Sequence, residues 1–171
     1  MSTPLSAGVI AATVQPFHDN GAIDWDTTQQ YLEQVAQARP TAIAVNMAIG
    51  EVSSLDEAEQ LENVRRSKAT VAGACPLLAG LSVTSTRAAT ELARKLVDAG
   101  AEGIVVFPPM PAFLGGVTIA MIEDYHGTVA RSADVPIVAF QNNIAAYPRG
   151  AITALSRIDG VAAIKEASFS V

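Results

Sequence analysis

The segment RAATELARKLVDAGAEGIVVFPP, residues 87–109, contains one transition from a helix to a strand. Ser85 or Thr86 can cap the helix, and Gly100 suits the position that follows a helix end. Residues 102–109 then form a short apolar run. Continuous rather than alternating apolar residues are typical of a strand that is buried on both faces, as in a parallel sheet. The segment therefore predicts a helix that leads into a buried parallel strand.

The same alternation of apolar runs and helix-length segments continues on both sides of this segment. Repeated alternation of strands and helices predicts a parallel sheet, in either a doubly wound α/β fold or a (β/α)8 barrel. We predict six strands, one of them together with its following loop, over residues 8–14, 41–50, 76–83, 102–109, 135–141 and 160–165. The helices between them are predicted over residues 25–37, 55–71, 87–99, 118–132 and 148–158.

Three of the other helices also have recognisable start signals. Asp24 can cap the first helix, because a carboxylate accepts hydrogen bonds from the N–H groups of the first turn. Ser54 and Glu57 have the spacing of a capping box and predict the start of the second helix. Pro148 predicts the start of the last helix, because the first helical position tolerates a residue without an N–H group.

Composition excludes several classes of partner. The chain has 171 residues, enough for one domain over residues 1–171, and half of them are hydrophobic. Its net charge of −6 offers no attraction to nucleic acid or to anionic lipid, so we expect neither a nucleic-acid partner nor a membrane partner. The N-terminal residues have no basic region followed by a long apolar stretch, and Cys75 is the only cysteine. These features predict a cytoplasmic location without disulfides.

The loops that follow the predicted strands contain the candidate functional residues. In both candidate architectures the functional site lies at the carboxyl ends of the strands. Distinctive residues follow the second, fourth and fifth strands, at Gly50-Glu51, Pro108-Pro109 and Gln141-Asn142-Asn143. No strand is followed by a G-x-G-x-x-G or P-loop motif, and the two histidines have no second ligand at metal-binding spacing. We therefore predict no cofactor and no metal.

Five of these segments, in order and at matching spacing, resemble the dihydrodipicolinate synthase and N-acetylneuraminate lyase family. In chain order they are GVIAATVQPFHDNGAID, AIGEVSSLDEAE, DAGAEGIVVFPPMP, VPIVAFQN and GVAAIKEAS. The resemblance covers essentially the whole chain. It implies a (β/α)8 barrel, of which this chain contains about the first six β-α units and is incomplete at the C-terminus. Because such a barrel usually needs about 250 residues, we also expect self-association into a homo-oligomer or a longer native polypeptide.

The resemblance also implies a catalytic lysine. GVAAIKEAS matches the segment in which the family has its Schiff-base lysine, and the residue at that position is Lys165. An amine that is partly removed from water can attack the carbonyl group of a small 2-oxo acid. The same resemblance places Ala48, Ile49, Gly50, Phe140 and Gln141 at the substrate. The implied function is that of a class I aldolase-type lyase acting by aldol cleavage, aldol condensation or dehydration.

The chain departs from the family pattern at the positions that handle protons. The two threonines that precede Gly-Glu in the family are replaced by Ala48 and Ile49. The phenol at the end of the fifth strand is replaced by Phe140, and a second tyrosine after the fourth strand by Met110. Tyr147 is a candidate for a substitute phenol.

These departures leave other interpretations open. One alternative is a metabolite-binding paralogue that kept the barrel and the lysine but lost the chemistry. Another is a flavodoxin-like binding domain, which suits the length better than a barrel but does not explain the five matching segments.

Overall fold

The structure is a computed structural model that describes residues 7–109, 116–143 and 146–167. These residues form two compact units. Of the described residues, the N-terminal unit comprises 7–80 and 96–102, and the C-terminal unit comprises 81–95, 103–109, 116–143 and 146–167.

Six strands alternate with five helices in the described residues. The strands are β1 (Ile10–Ala12), β2 (Ala42–Val45), β3 (Leu77–Leu81), β4 (Gly103–Val106), β5 (Ile137–Asn142) and β6 (Val161–Ala167). The helices are α1 (Trp25–Gln37), α2 (Glu57–Val71), α3 (Thr86–Asp98), α4 (Ile119–Ala133) and α5 (Ala151–Leu155). All six predicted strands and all five predicted helices are present, although most strands are shorter than predicted.

The strands follow chain order along the sheet, β1-β2-β3 in the N-terminal unit and β4-β5-β6 in the C-terminal unit. The pairings are parallel, with Ala12 opposite Ala44 in one unit and Val105 opposite Val138 in the other. A doubly wound sheet reverses its strand order at a switch point, whereas successive strands of a (β/α)8 barrel are neighbours. The sequential order therefore favours the barrel pattern.

The start of α2 differs from the prediction. Asp56, and not Ser54, caps the helix: its carboxylate accepts a hydrogen bond from the Glu59 N–H group at 2.8 Å, and the Glu59 carboxylate accepts one from the Asp56 N–H group at 2.9 Å. Ser54 ends a 3-10 turn that follows Glu51, whose φ of 53° is left-handed. Two overlapping capping-box patterns occur in the sequence, and this turn selects the second.

The start of α5 also differs from the prediction. The helix begins at Ala151, three residues after Pro148, and ends at Leu155. Gly150 has a φ of 92°, a left-handed conformation that a continuous helix from Pro148 would not allow. The Ala151 N–H group instead closes a turn onto the Pro148 carbonyl at 3.0 Å.

β6 contains a bulge that determines which face its residues occupy. Ile137 is opposite Val161, but the next residue of β5, Val138, is opposite Ala163, so Ala162 is an extra residue. Beyond the bulge the register is regular, and Phe140 is opposite Lys165. The strand continues to Ala167, so Lys165 lies within β6 and not at its end as predicted.

One face of β5 and β6 packs against α4 and α5. Its core contains apolar and aromatic residues from these elements and from the segment before α5: Ile122, Ala139, Tyr147, Ala151 and Leu155, with Val161 and Ile164 packed against them. We call this side of the C-terminal unit the helix face. Successive strand residues alternate between faces, so Phe140 and Lys165 lie on the opposite side, which we call the lysine face.

Candidate active site

Lys165 lies against an aromatic pair on the lysine face. Its Nζ atom is 4.1 Å from the centroid of the Phe140 ring. Phe107 meets Phe140 edge to face, with ring centroids 4.9 Å apart and an interplanar angle of 80°. Lys165 is half-buried. The predicted inward-pointing lysine therefore has a defined apolar neighbour.

Two opposing effects act on the amine. Burial disfavours the ammonium form and lowers the pKa of Lys165 below its ordinary value. The face of the Phe140 ring attracts a cation, typically by about 0.5–2 kcal/mol, and so favours the ammonium form. Burial makes a larger fraction of the amine neutral than in a solvated lysine. A neutral amine is the form that can attack a carbonyl carbon.

Ala48, Ile49 and Gly50 form a 3-10 turn after β2 in the N-terminal unit. Gly50 is buried, and a Cβ atom at this position would lie 2.8 Å from the Thr13 carbonyl oxygen. This close approach explains the glycine. Ala48 and Ile49 are both exposed, and Ile49 keeps 60% of its surface exposed.

The turn uses only part of its hydrogen-bonding capacity internally. The Gly50 N–H group donates to the Met47 carbonyl and the Glu51 N–H group to the Ala48 carbonyl, at 2.9 and 3.1 Å. Within the described part of the chain, the N–H groups of Ala48 and Ile49 make no hydrogen bond. They are therefore the two backbone donors of this turn that remain for a bound carboxylate.

A buried polar cluster, which sequence reasoning missed, fixes the chain before this turn. Asn46 has a left-handed φ of 54°, donates to the Gln60 carbonyl at 3.0 Å and accepts from the Asn63 amide at 2.8 Å. A Cβ atom on Gly80 would lie 2.0 Å from the Asn46 carbonyl oxygen. The available signal was an asparagine that directly follows a buried strand, since asparagine tolerates this conformation.

Gln141 lies on the helix face. Its Oε1 atom accepts a hydrogen bond from the Tyr147 N–H group at 2.7 Å, and its Nε2 atom donates to the Glu166 carboxylate. It is buried, with 6% of its surface exposed. The prediction that Gln141 contacts substrate stays a prediction, and these contacts favour a role in holding the strands instead.

Tyr147 does not occupy the place of the missing phenol. Its hydroxyl group lies 2.9 Å from Nε2 of His126, in the core of the helix face and away from Lys165. The His126 Nδ1 atom lies 2.9 Å from the Ile122 carbonyl oxygen, which can only accept. Nδ1 therefore carries the proton, and Nε2 accepts from Tyr147. Burial raises the pKa of Tyr147, which keeps the phenol protonated.

The remaining candidate residues follow β4, and the structure describes only some of them. Pro108 and Pro109 are buried after β4, whereas Met110 lies outside the described residues.

In the described residues no cluster of three or more histidine, cysteine or acidic side chains could hold a metal ion. No helix in that part of the chain is both long enough and apolar enough to cross a membrane.

Comparison with known proteins gives relatives along nearly the whole chain. A 4-hydroxy-tetrahydrodipicolinate synthase from Pseudomonas savastanoi is 28% identical over 165 residues, which are 95% of this chain and 56% of that protein. A probable 5-dehydro-4-deoxyglucarate dehydratase from Streptomyces avermitilis is 30% identical over 165 residues, which are 95% of this chain and 48% of that protein. The chain thus spans about half the length of these relatives.

Solved structures show the same fold. A dihydrodipicolinate synthase from Bacillus anthracis superposes with a TM-score of 0.86 at 24% identity, over 97% of this chain and 57% of that one. An N-acetylneuraminate lyase from Mycoplasma synoviae superposes with a TM-score of 0.81 at 17% identity, over 95% and 55%. These likenesses confirm the predicted fold class, the first part of a (β/α)8 barrel. The model of the dihydrodipicolinate synthetase family matches residues 5–171, and the chain belongs to this family.

Proposed function

We propose that Lys165 forms a Schiff base with a small 2-oxo acid in a lyase of the class I aldolase type. The observation that carries the proposal is the half-buried amine on the lysine face, which has a lowered pKa and stands over Phe140. Family membership supports it, because the relatives and structural neighbours include proteins named as a synthase, a dehydratase and a lyase.

The proposed chemistry begins with the neutral Lys165 amine. The nitrogen lone pair attacks the carbonyl carbon of the 2-oxo acid, and the resulting carbinolamine loses water to give an imine. Once protonated, the imine withdraws the electron pair of the bond next to it. Loss of a proton or cleavage of a carbon–carbon bond at the adjacent carbon then gives an enamine. Later reprotonation, addition to an aldehyde or loss of hydroxide leaves the product bound to Lys165 as an imine. Water then hydrolyses this imine, which releases the product carbonyl and restores the Lys165 amine.

The turn after β2, in the N-terminal unit, is a candidate binding place for a carboxylate. The N–H groups of Ala48 and Ile49, which make no hydrogen bond within the described residues, can donate to it. Gly50 lets the chain approach Thr13 closely enough to shape the turn. A hydroxyl-free turn of this kind binds through the backbone alone. We therefore propose weaker discrimination for pyruvate itself and better acceptance of less polar 2-oxo acids.

Proton transfer is the step least supported by the chain. Phe140 cannot exchange a proton, and Tyr147 lies on the helix face. We propose that water or a group of the substrate carries protons to and from the imine. Because a positioned acid–base group typically contributes about 10²- to 10⁴-fold, we expect slow turnover.

Borohydride reduction tests the proposal. The protein is incubated with pyruvate, 2-oxobutyrate and phenylpyruvate in turn, reduced, and examined by intact mass and peptide mapping. The chain has three lysines, Lys68, Lys95 and Lys165, so peptide mapping assigns an adduct to one of them. We expect an adduct on Lys165 and none in Lys165→Arg, because a guanidinium stays protonated. An adduct equally distributed over the three lysines, or none with any acid, contradicts the proposal.

A metabolite-binding paralogue is the second candidate function. The replacement of the phenol by Phe140 favours it, since binding needs no proton relay. The two candidates differ in one result. A lyase traps the 2-oxo acid and also exchanges its C3 protons with deuterated water, whereas a binding paralogue traps the acid without exchange.

A further inference from the structure

Gln141 connects two separate segments of the C-terminal unit. Its Oε1 atom accepts from the Tyr147 N–H group at 2.7 Å, which ties it to the segment before α5. Its Nε2 atom donates to the carboxylate of Glu166 in β6. A buried amide with a partner at each end is held in one orientation, because losing either partner leaves an unsatisfied buried polar group.

The connection lies one residue from the proposed catalytic amine. β5 and β6 pair in register at this point, with Phe140 opposite Lys165 and Gln141 opposite Glu166. Neighbouring residues of a strand point to opposite faces. A side chain that fastens Glu166 on the helix face therefore fixes the backbone from which Lys165 extends on the lysine face.

We infer that Gln141 is a positioning residue for Lys165. The hydrogen bond to Glu166 holds β6 against β5, and the one from the Tyr147 N–H group fixes the orientation of the Gln141 amide, so that the amine stays over the Phe140 ring, 4.1 Å from its centroid. The inference rests on the proposed function, in which this amine attacks a 2-oxo acid. It assigns Gln141 to the support of the nucleophile and not to contact with substrate.

Three variants separate position from charge. Gln141→Leu removes both hydrogen bonds without adding charge. Gln141→Glu keeps the shape but places a second carboxylate beside Glu166. The double variant Gln141→Glu with Glu166→Gln restores an amide–carboxylate pair with reversed polarity, because the carboxylate introduced in β5 can accept from both the Tyr147 N–H group and the new amide. The net charge of this double variant equals that of the wild type.

The first measurement is the rate of borohydride trapping on Lys165. We expect both single variants to be about 10- to 100-fold slower, as is typical when a reacting group is misplaced by about 1 Å. The double variant should return to within about threefold of the wild type. Ile122→Val is the matched control, because it removes one buried methyl group from the core of the helix face and leaves Gln141 untouched. It should lower the melting temperature without changing the trapping rate.

The second measurement does not require trapping. Lysine methyl groups introduced with ¹³C-formaldehyde report their surroundings by NMR, and a methyl group over an aromatic ring is shifted upfield. The Lys165 signal should lose this shift in both single variants and regain it in the double variant. If the wild type is not trapped, the proposed function fails, and this signal alone decides the positioning role. An unchanged Lys165 signal and trapping rate in Gln141→Leu, or slow trapping in the double variant at full stability, overturns the inference.

Discussion

At the scale of single residues, the contact between Lys165 and Phe140 carries most of the functional argument. The aromatic face attracts the ammonium form, while burial lowers the pKa of Lys165. A phenyl ring is thus an unusual neighbour for a nucleophilic amine, because it excludes water and also favours the unreactive charge state. The two effects can be separated by substitution at one position.

Phe140→Leu should shift the pH dependence of trapping toward lower pH. Leucine preserves an apolar environment but has no ring face, so the lowered pKa of Lys165 loses the contribution that opposes it. A cation–π contact of about 0.5–1 kcal/mol corresponds to roughly half a pH unit. The measurement is the midpoint of the trapping rate against pH. A midpoint that moves upward would show that the ring mainly shields the amine from water.

Phe140→Tyr should increase turnover if the missing phenol limits it. The new hydroxyl group would lie on the lysine face, where proton transfer to the imine is needed. The gain should be at most about 10²- to 10⁴-fold. Deuterium exchange into the trapped 2-oxo acid measures it, with Phe107→Tyr as the control. No gain in exchange would favour the binding paralogue.

At the scale of elements, α4 is joined to the segment before α5 by a buried histidine. His126 accepts from Tyr147, donates to the Ile122 carbonyl and stacks edge to face on Tyr125, with centroids 5.4 Å apart. Burial lowers the pKa of His126 to about 4, although hydrogen bonds to the backbone of Ile122 and Val106 oppose this. Protonation would leave the Tyr147 hydroxyl without its acceptor, so this junction is sensitive to acid.

Acid should therefore destabilise the C-terminal unit. The pKa of His126 is below its unfolded value of 6.5, so its contribution is complete above about pH 6.5 and is lost as the pH falls toward 4. The loss should reach at most about 3 kcal/mol in the free energy of unfolding. Urea unfolding at pH 7.5 and pH 4.5 measures it. His126→Gln, which can still accept from Tyr147, should be less stable at pH 7.5 and show a flatter pH dependence; an equal slope in both proteins would exclude His126 as the cause.

The elements also show where sequence patterns reach their limit. Asp24 caps α1 as predicted, because its carboxylate needs only the Thr27 N–H group three residues away. The predicted start of α2 was wrong because a left-handed residue, Glu51, sets the phase of the following turns. The sequence pattern also could not predict which partners hold the Gln141 side chain on the helix face. Its orientation depends on pairing with a strand 25 residues later, and local periodicity contains no information about such pairing.

At the scale of the whole molecule, the resemblance to the family is what identified the candidate catalytic lysine in the sequence. Lys165 was identified through the matching register of five segments, since an apolar run that ends in lysine would equally suit a solvated strand end. The residues that replace the family's threonines and phenol could also be identified directly from the sequence. The contacts that hold each segment in place could not be predicted, because Asn46 with Gly80 in the N-terminal unit and Gln141 with Glu166 in the C-terminal unit are contacts between distant residues.

Self-association stays a prediction, and the N-terminal unit suggests where to test it. Val9, Ile10 and Val14, in and beside β1, keep 69%, 40% and 43% of their surfaces exposed. Exposed apolar residues along a strand favour contact with another surface. We expect sedimentation velocity to show concentration-dependent association that Val9→Lys weakens, while Met121→Lys, also at an exposed apolar residue, does not. A monomer at every concentration would refute the prediction.

The bulge in β6 has a consequence for how this site can change during evolution. At the bulge, β6 has one more residue than the paired part of β5. The direction of the Lys165 side chain therefore depends on the number of residues before it as well as on their identity. Deleting Ala162 would leave a regular strand with the same partner for Lys165, whereas inserting a residue without a second bulge would turn the amine toward the helices. A deletion in this strand should therefore be tolerated, whereas an insertion should not. Lineages that keep the lysine should differ here by loss of a residue more often than by gain.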